Sequence, residues 1–195
     1  MVSCILLAAG SSTRFGSPKA LARVKDTTVI GYLQNTLVNS KIDQVIVVLG
    51  DHSHDVELHI LNHKKVRLVY NKDYNLGQTS SFKAGLKAIS PKAAGIFLCP
   101  VDVPFVSYQT IDLLIHHLGS HAPSILIPAY QGKRGHPPWF HIKHKNAFLG
   151  LENTSGLNVY EHQHESEITV LPVDDCGVIS SFNTAEEFEN IKASF

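Results

Sequence analysis

Met1-Val2-Ser3-Cys4-Ile5-Leu6-Leu7, continued by Ala8-Ala9-Gly10-Ser11-Ser12-Thr13-Arg14-Phe15-Gly16-Ser17-Pro18-Lys19, is the stretch that decides the fold. The apolar run is of strand length, far too short to span a bilayer, and no basic segment precedes it, so it reads as a buried strand. It ends in a loop of small residues, where a ligand can approach the backbone and successive N–H groups can form an anion-binding nest. Arg14 and Lys19 add two cations suited to a triphosphate. Two better-known glycine loops do not fit. A Walker A loop has four residues between its glycines and then Lys-Ser/Thr. Here five separate Gly10 from Gly16, and Ser17-Pro18 precedes Lys19. A dinucleotide fingerprint needs a second glycine where this loop has none.

Outward from this loop, short apolar runs alternate with helix-length segments. Strands are expected at 2–7, 44–49, 66–69, 95–101, 124–128 and 167–172. Helices are expected at 29–40, 79–89, 110–118 and 184–192, with a shorter one at 56–61 and patterns near 145–149 and 157–163. Val45-Ile46-Val47-Val48-Leu49 is continuously apolar, the mark of a central parallel strand buried on both faces. The alternation predicts a three-layer α/β/α fold with a mostly parallel, Rossmann-like sheet. No repeat or linker interrupts it, so residues 1–195 read as one domain. From Ala129 to Ser166 the pattern weakens into a Gly-, Pro- and His-rich stretch, either a substrate loop or a plain insertion.

Composition narrows the function classes. Seventeen Lys and Arg balance seventeen Asp and Glu, which argues against a nucleic-acid or membrane-surface partner. Any anionic ligand must then be held by a few placed cations. Cys4, Cys99 and Cys176 form no CxxC pair and read as reduced thiols of a cytoplasmic protein. The twelve histidines include no matched zinc pattern, and most read as surface residues.

Four further segments carry candidate chemistry. In Phe97-Leu98-Cys99-Pro100-Val101-Asp102-Val103-Pro104 an apolar strand delivers one carboxylate at its C-terminal end, where ligands bind in this fold class and where a hard oxygen suits Mg²⁺. Gly77-Gln78-Thr79-Ser80-Ser81 opens a helix, and Ser80 or Ser81 would cap it or bond a nucleotide. Arg134-Gly135-His136 could hold a second, attacking phosphate. Asn183-Thr184-Ala185-Glu186-Glu187 reads as a helix start capped by Thr184.

The loop Leu7-Ala8-Ala9-Gly10-x-Ser12-x-Arg14-Phe15-Gly16-x-Pro18-Lys19 resembles the signature of the MobA-like NTP transferases. That family includes the molybdenum cofactor guanylyl- and cytidylyltransferases and, more distantly, sugar-phosphate nucleotidyltransferases. The resemblance runs from the first strand to the last helix. It implies a nucleotide-diphospho-sugar transferase-like fold whose sheet is mixed, with an antiparallel strand near one edge. It further implies an Mg²⁺-dependent transfer of a nucleoside monophosphate, with Arg14, Lys19 and Asp102 catalytic. Leu7, Ala8, Ala9, Gly10, Ser12, Arg14, Lys19, Gly77, Ser80 and Ser81 would bind the nucleotide. Arg134, Gly135 and His136 would face the acceptor, and Asp102 and Asn183 the metal. The chain departs from the family at Ala185, where Pro is usual, and at Ser181, where an acid is common. Ala9 in place of a glycine, with Arg134–Pro137, favours CTP over GTP and molybdopterin as acceptor. A guanylyltransferase, a sugar-phosphate nucleotidyltransferase and a non-catalytic nucleotide-binding factor serving a molybdoenzyme client are the alternatives. An NAD-dependent oxidoreductase is disfavoured by the missing fingerprint.

Overall fold

The computed structural model describes residues 1–195. The chain runs β1 (Val2–Ala8), the short pair β2 (Arg23–Val24) and β3 (Thr27–Thr28), α1 (Val29–Asn39), β4 (Gln44–Leu49) and α2 (Ser53–Glu57). It continues through β5 (Val66–Tyr70), α3 (Gln78–Ala88), β6 (Gly95–Pro100), α4 (Tyr108–His121), β7 (Ile125–Tyr130), β8 (Lys133–Arg134) and β9 (Trp139–His141). It closes with α5 (Lys145–Gly150), α6 (Leu157–Gln163), β10 (Ile168–Pro172) and α7 (Ala185–Lys192).

One mixed sheet has the order β10-β7-β9-β6-β1-β4-β5, with β8 paired to β7. β1 lies at its centre, parallel to β4 on one side and to β6 on the other. Central position and composition agree: alternate β1 residues feed opposite cores. Cys4, Leu6 and Ala8 join Val45, Val47 and Phe97, covered by Ile30, Leu33 and Leu37 of α1. Ile5 and Leu7 join Ile46, Val48 and Leu98, covered by Phe82 and Leu86 of α3. Helices therefore lie on both faces, as a parallel sheet requires. Cys4 and Cys99 are buried free thiols, and burial pushes the Cys4 thiol pKa well up. No helix is long and apolar enough to cross a membrane.

The structure departs from expectation in three places. β9 runs antiparallel deeper in the sheet than expected, third from one edge and paired with both β6 and β7, and β8 is a second antiparallel strand beside β7. Its Trp139 packs against Gly95, where any side chain would strike the indole and the Phe140 carbonyl. α2 covers Ser53–Glu57, not 56–61. His52 starts it in the left-handed region, and Leu58 stays exposed, so the apolar spacing that follows belongs to loop. Finally, neither Ser80 nor Ser81 caps α3; its N-cap is Gly77, with φ +104° and no side-chain bond.

Candidate active site

β1 and β6 end side by side, Leu7 opposite Pro100, so the loops that follow them face one another. The loop after β1 closes on itself at Ser12, which takes φ +53°. The Ser12 carbonyl accepts N–H bonds from Phe15 and Gly16, and its hydroxyl accepts the Lys19 N–H at 3.1 Å. Phe15 anchors the loop by packing on Phe182 and Phe188 at centroid distances of 5.4 and 5.9 Å. The C-terminal segment is tied to the other loop, since Phe182 N–H donates to the Asp102 carbonyl at 3.1 Å.

The result is a cluster drawn from three distant parts of the chain. The Lys19 ammonium donates to the Phe182 carbonyl at 2.7 Å and to Asn183 Oδ1 at 3.1 Å, and lies 3.5 Å from Asp102 Oδ2. Arg14 donates to the same Asn183 Oδ1 at 3.0 Å. The Lys19 side chain is only 12% exposed against 33% for Asp102, so the shorter carbonyl bond, not the long ion pair, fixes the ammonium. Glu187 supports the group from outside. Its carboxylate accepts the Asn183 N–H at 2.6 Å and the Thr184 N–H at 3.2 Å. Those bonds, with the charges of Lys19 and Arg14, hold its pKa down.

A cavity of about 630 Å³ opens over this cluster. Leu7, Ala8, Ala9, Gly10, Ser12, Arg14, Lys19, Gly77 and Ser81 line it, as do Asp102 and Asn183. Ser80 does not. Its hydroxyl faces inward, bonded to the Asp73 and Gly77 carbonyls at 2.8 Å each, while Asn71 Nδ2 donates to both Ser80 and Ser81. Ser80 thus braces the turn before α3 behind the cavity wall.

Arg134, Gly135 and His136 line a second cavity of about 450 Å³, which meets the first at Gln78, Pro100 and Asp102. Each differs from the simple picture of a phosphate clamp. Arg134 gives two guanidinium N–H groups to Glu165, so its charge is already matched. Gly135 packs directly on the Val178 carbonyl, and a Cβ there would collide with it. His136 follows by donating its backbone N–H to that same carbonyl at 2.7 Å. Burial lowers the His136 pKa, against the pull of Asp102, so its imidazole is neutral at pH 7.

Two participants escaped the sequence reading. Asp51, at the end of β4, lines the first cavity just as Asp102 does at the end of β6. Its signal, a carboxylate directly after a buried strand, was present in Leu49-Gly50-Asp51. The Phe182 carbonyl had no signal, because a backbone oxygen is independent of residue type.

The mixed, mostly parallel sheet and the loop after β1 are those of an NTP transferase. The sequence model of the MobA-like NTP transferase domain matches residues 4–168, and the chain belongs to that family. Among its relatives, the nicotine blue oxidoreductase of Paenarthrobacter nicotinovorans is 34% identical over 142 residues, 70% of this chain and 69% of that protein. The molybdenum cofactor cytidylyltransferase of Escherichia coli K12 is 26% identical over 137 residues, 70% of this chain and 68% of that enzyme. Among solved structures, Rv0371c of Mycobacterium tuberculosis H37Rv in complex with manganese superposes with a TM-score of 0.83 at 28% identity, covering 100% of this chain and 99% of that one.

Proposed function

We propose that residues 1–195 act as one catalytic unit that moves CMP from CTP to a phosphorylated acceptor, molybdopterin, in the cytoplasm. The observation that carries this reading is the meeting of the two cavities at Asp102, with Lys19 and Arg14 on the side of the glycine loop. Nucleotide in one cavity and acceptor in the other would bring an α-phosphorus and an attacking phosphate oxygen together beside that carboxylate. The acceptor oxygen forms a bond to the α-phosphorus while the bond to the bridging α–β oxygen breaks, and pyrophosphate leaves. Lys19 and Arg14 would neutralise charge on the triphosphate, which grows on the departing pyrophosphate. Ala9, and the likeness to the cytidylyltransferase of Escherichia coli, support CTP.

The chemistry of the donors fits a hard divalent ion. Asp102, Asn183 Oδ1 and the Phe182 carbonyl already surround the Lys19 ammonium with oxygen, and oxygen donors suit Mg²⁺ or Mn²⁺. Asp102 and Asn183 would hold the ion, in keeping with the manganese in the Rv0371c structure. Bound there, it would supply charge neutralisation at the transferring phosphoryl group. Asp102→Ala tests the reading. Pyrophosphate release from CTP with Mg²⁺ and molybdopterin should fall at least roughly 10²-fold with the fold intact, and unchanged turnover would sink the assignment.

The likeness to nicotine blue oxidoreductase gives a second reading, oxidoreduction of nicotine blue or a compound like it. Redox turnover of nicotine blue without pyrophosphate release would select it. Nucleotide binding with neither activity would select a maturation factor for a molybdoenzyme.

A further inference from the structure

The second cavity poses an electrostatic problem. On the reading above it admits an acceptor that already carries a phosphate, and Lys133 is a lining cation free to meet that phosphate, yet Glu161 lines the cavity as well as Asp102. Glu161 sits on α6, in line with Leu157 and Asn158, which share its face of the helix and line the same cavity. Its carboxylate is partly buried and accepts no hydrogen bond from the protein. Arg134, whose field it feels, donates instead to Glu165 through both Nη atoms. Burial raises the Glu161 pKa, the expected result for a carboxylate removed from water without compensating donors. A molecule that fills the cavity is placed to supply those donors in exchange for water.

The rest of the lining limits what that is. His136 is neutral, and its Nδ1 is buried with no partner. Leu98, Val178 and Ile179 supply apolar surface, which suits a flat ring better than a second anion. A carboxylate presents two oxygens that accept two parallel N–H groups, as in carboxylate–guanidinium pairs. It repels a phosphate, so the donor edge must lie at the end of the acceptor remote from the attacking phosphate.

We propose that Glu161 is the specificity-determining residue of the acceptor cavity, accepting two adjacent N–H groups from an amidine-like edge of a flat heterocycle such as a pterin. The 2-amino group and N3–H of a pterin form such an edge. This rests on the reading of the second cavity as the acceptor side, and it names the part of the acceptor that is recognised.

The test is a fluorescence titration of the intact protein with 6-hydroxymethylpterin and with 6-hydroxymethyllumazine, in which a 2-oxo group replaces the 2-amino group. Wild type should bind the pterin at least about ten-fold more tightly, because lumazine turns a carbonyl toward the carboxylate. Glu161→Gln should abolish or reverse that preference, since its amide can donate to the 2-oxo group. Equal binding of the two rings by wild type, or an unchanged ratio in Glu161→Gln, overturns the proposal. The wild-type comparison does not depend on the variant folding. Calorimetry of CTP with Mg²⁺ on the same samples separates the two ideas. Nucleotide binding without ring discrimination removes only the role of Glu161. Ring discrimination without nucleotide binding removes the transferase reading and leaves Glu161 assigned.

Discussion

Lys19 and Phe182, 163 positions apart in the chain, are joined by a 2.7 Å hydrogen bond from the lysine ammonium to the phenylalanine carbonyl. The cation of the first loop is thus held in place by the segment before the last helix. The family match ends at residue 168, short of that segment, so the portion that defines the family does not contain every group that shapes the site.

Replacing Lys19 with Met keeps the apolar stem and removes the ammonium. The Phe182 carbonyl loses its donor, and on the proposed function the triphosphate loses a charge that acts in the ground state and more strongly as pyrophosphate leaves. KM for the nucleotide should rise and kcat should fall, for a combined loss of roughly 10²–10³-fold in kcat/KM. Steady-state pyrophosphate release measures both parameters. If neither moves, Lys19 serves only to join the loop to Phe182.

Thr184 and Glu187 form a capping box at α7: the Thr184 hydroxyl accepts the Glu187 N–H, and the Glu187 carboxylate accepts from the Thr184 backbone. The same carboxylate holds Asn183. Thr184→Ala should cost about 1 kcal/mol of stability, lowering Tm by roughly 2–4 °C in a chain of this size. It should also lower kcat severalfold, because a frayed first turn of α7 loosens the Glu187 carboxylate that holds Asn183. Thr184→Ser should restore both. A fall in Tm with unaltered kcat would show that the cap does not reach the site.

Acid sensitivity should come from His144. Its Nδ1 meets Tyr160 Oη at 2.7 Å and its Nε2 meets Ser124 Oγ at 2.8 Å, while Ser124 donates to Glu167 at 2.6 Å. One proton per bond requires Tyr160 to donate to Nδ1 and Nε2–H to donate to Ser124, which fixes the neutral tautomer. Burial lowers the His144 pKa from 6.5. Lys143, His164 and His141 push the same way, and Glu167 opposes them. The unfolded chain then binds more protons than the folded one below pH 6.5. Stability is fully present above that value and declines as the pH falls toward the folded pKa. His117 and His136 are shifted in the same direction. Glu167 is held down to about 2 chiefly by Lys143 and Ser124, so its own loss begins only below the ordinary carboxylate pKa. Thermal midpoints at pH 7 and 5.5 should therefore drop with acid in wild type and drop less in His144→Gln. Parallel curves would assign the effect to the other two histidines.

Much of the frame was readable because its signals are local and dense. β4 matches its expected span, Gln44–Leu49, since five consecutive apolar residues buried on both faces admit little else. Arg14, Lys19, Asp102 and Asn183 were each named from a motif, and the fold brings them together. The insertion of β9 was not readable. Trp139-Phe140-His141 is too short to show a period, and it follows Pro137-Pro138, which reads as loop. Ser80 was misplaced because sequence shows that a hydroxyl exists but not which way it turns. Asn71 and the Asp73 carbonyl, brought close by the turn before α3, decide that.

The antiparallel strand inside the sheet makes β6 a seam. On one side of it lies an all-parallel half, β1, β4 and β5, that carries the glycine loop lining the first cavity. On the other lies a patchwork, β9, β7, β8 and β10, that carries the lining of the second cavity. Asp102 hangs from the seam and belongs to both. Substitutions between β7 and β10 should therefore reshape the second cavity while leaving the loop after β1 as it stands.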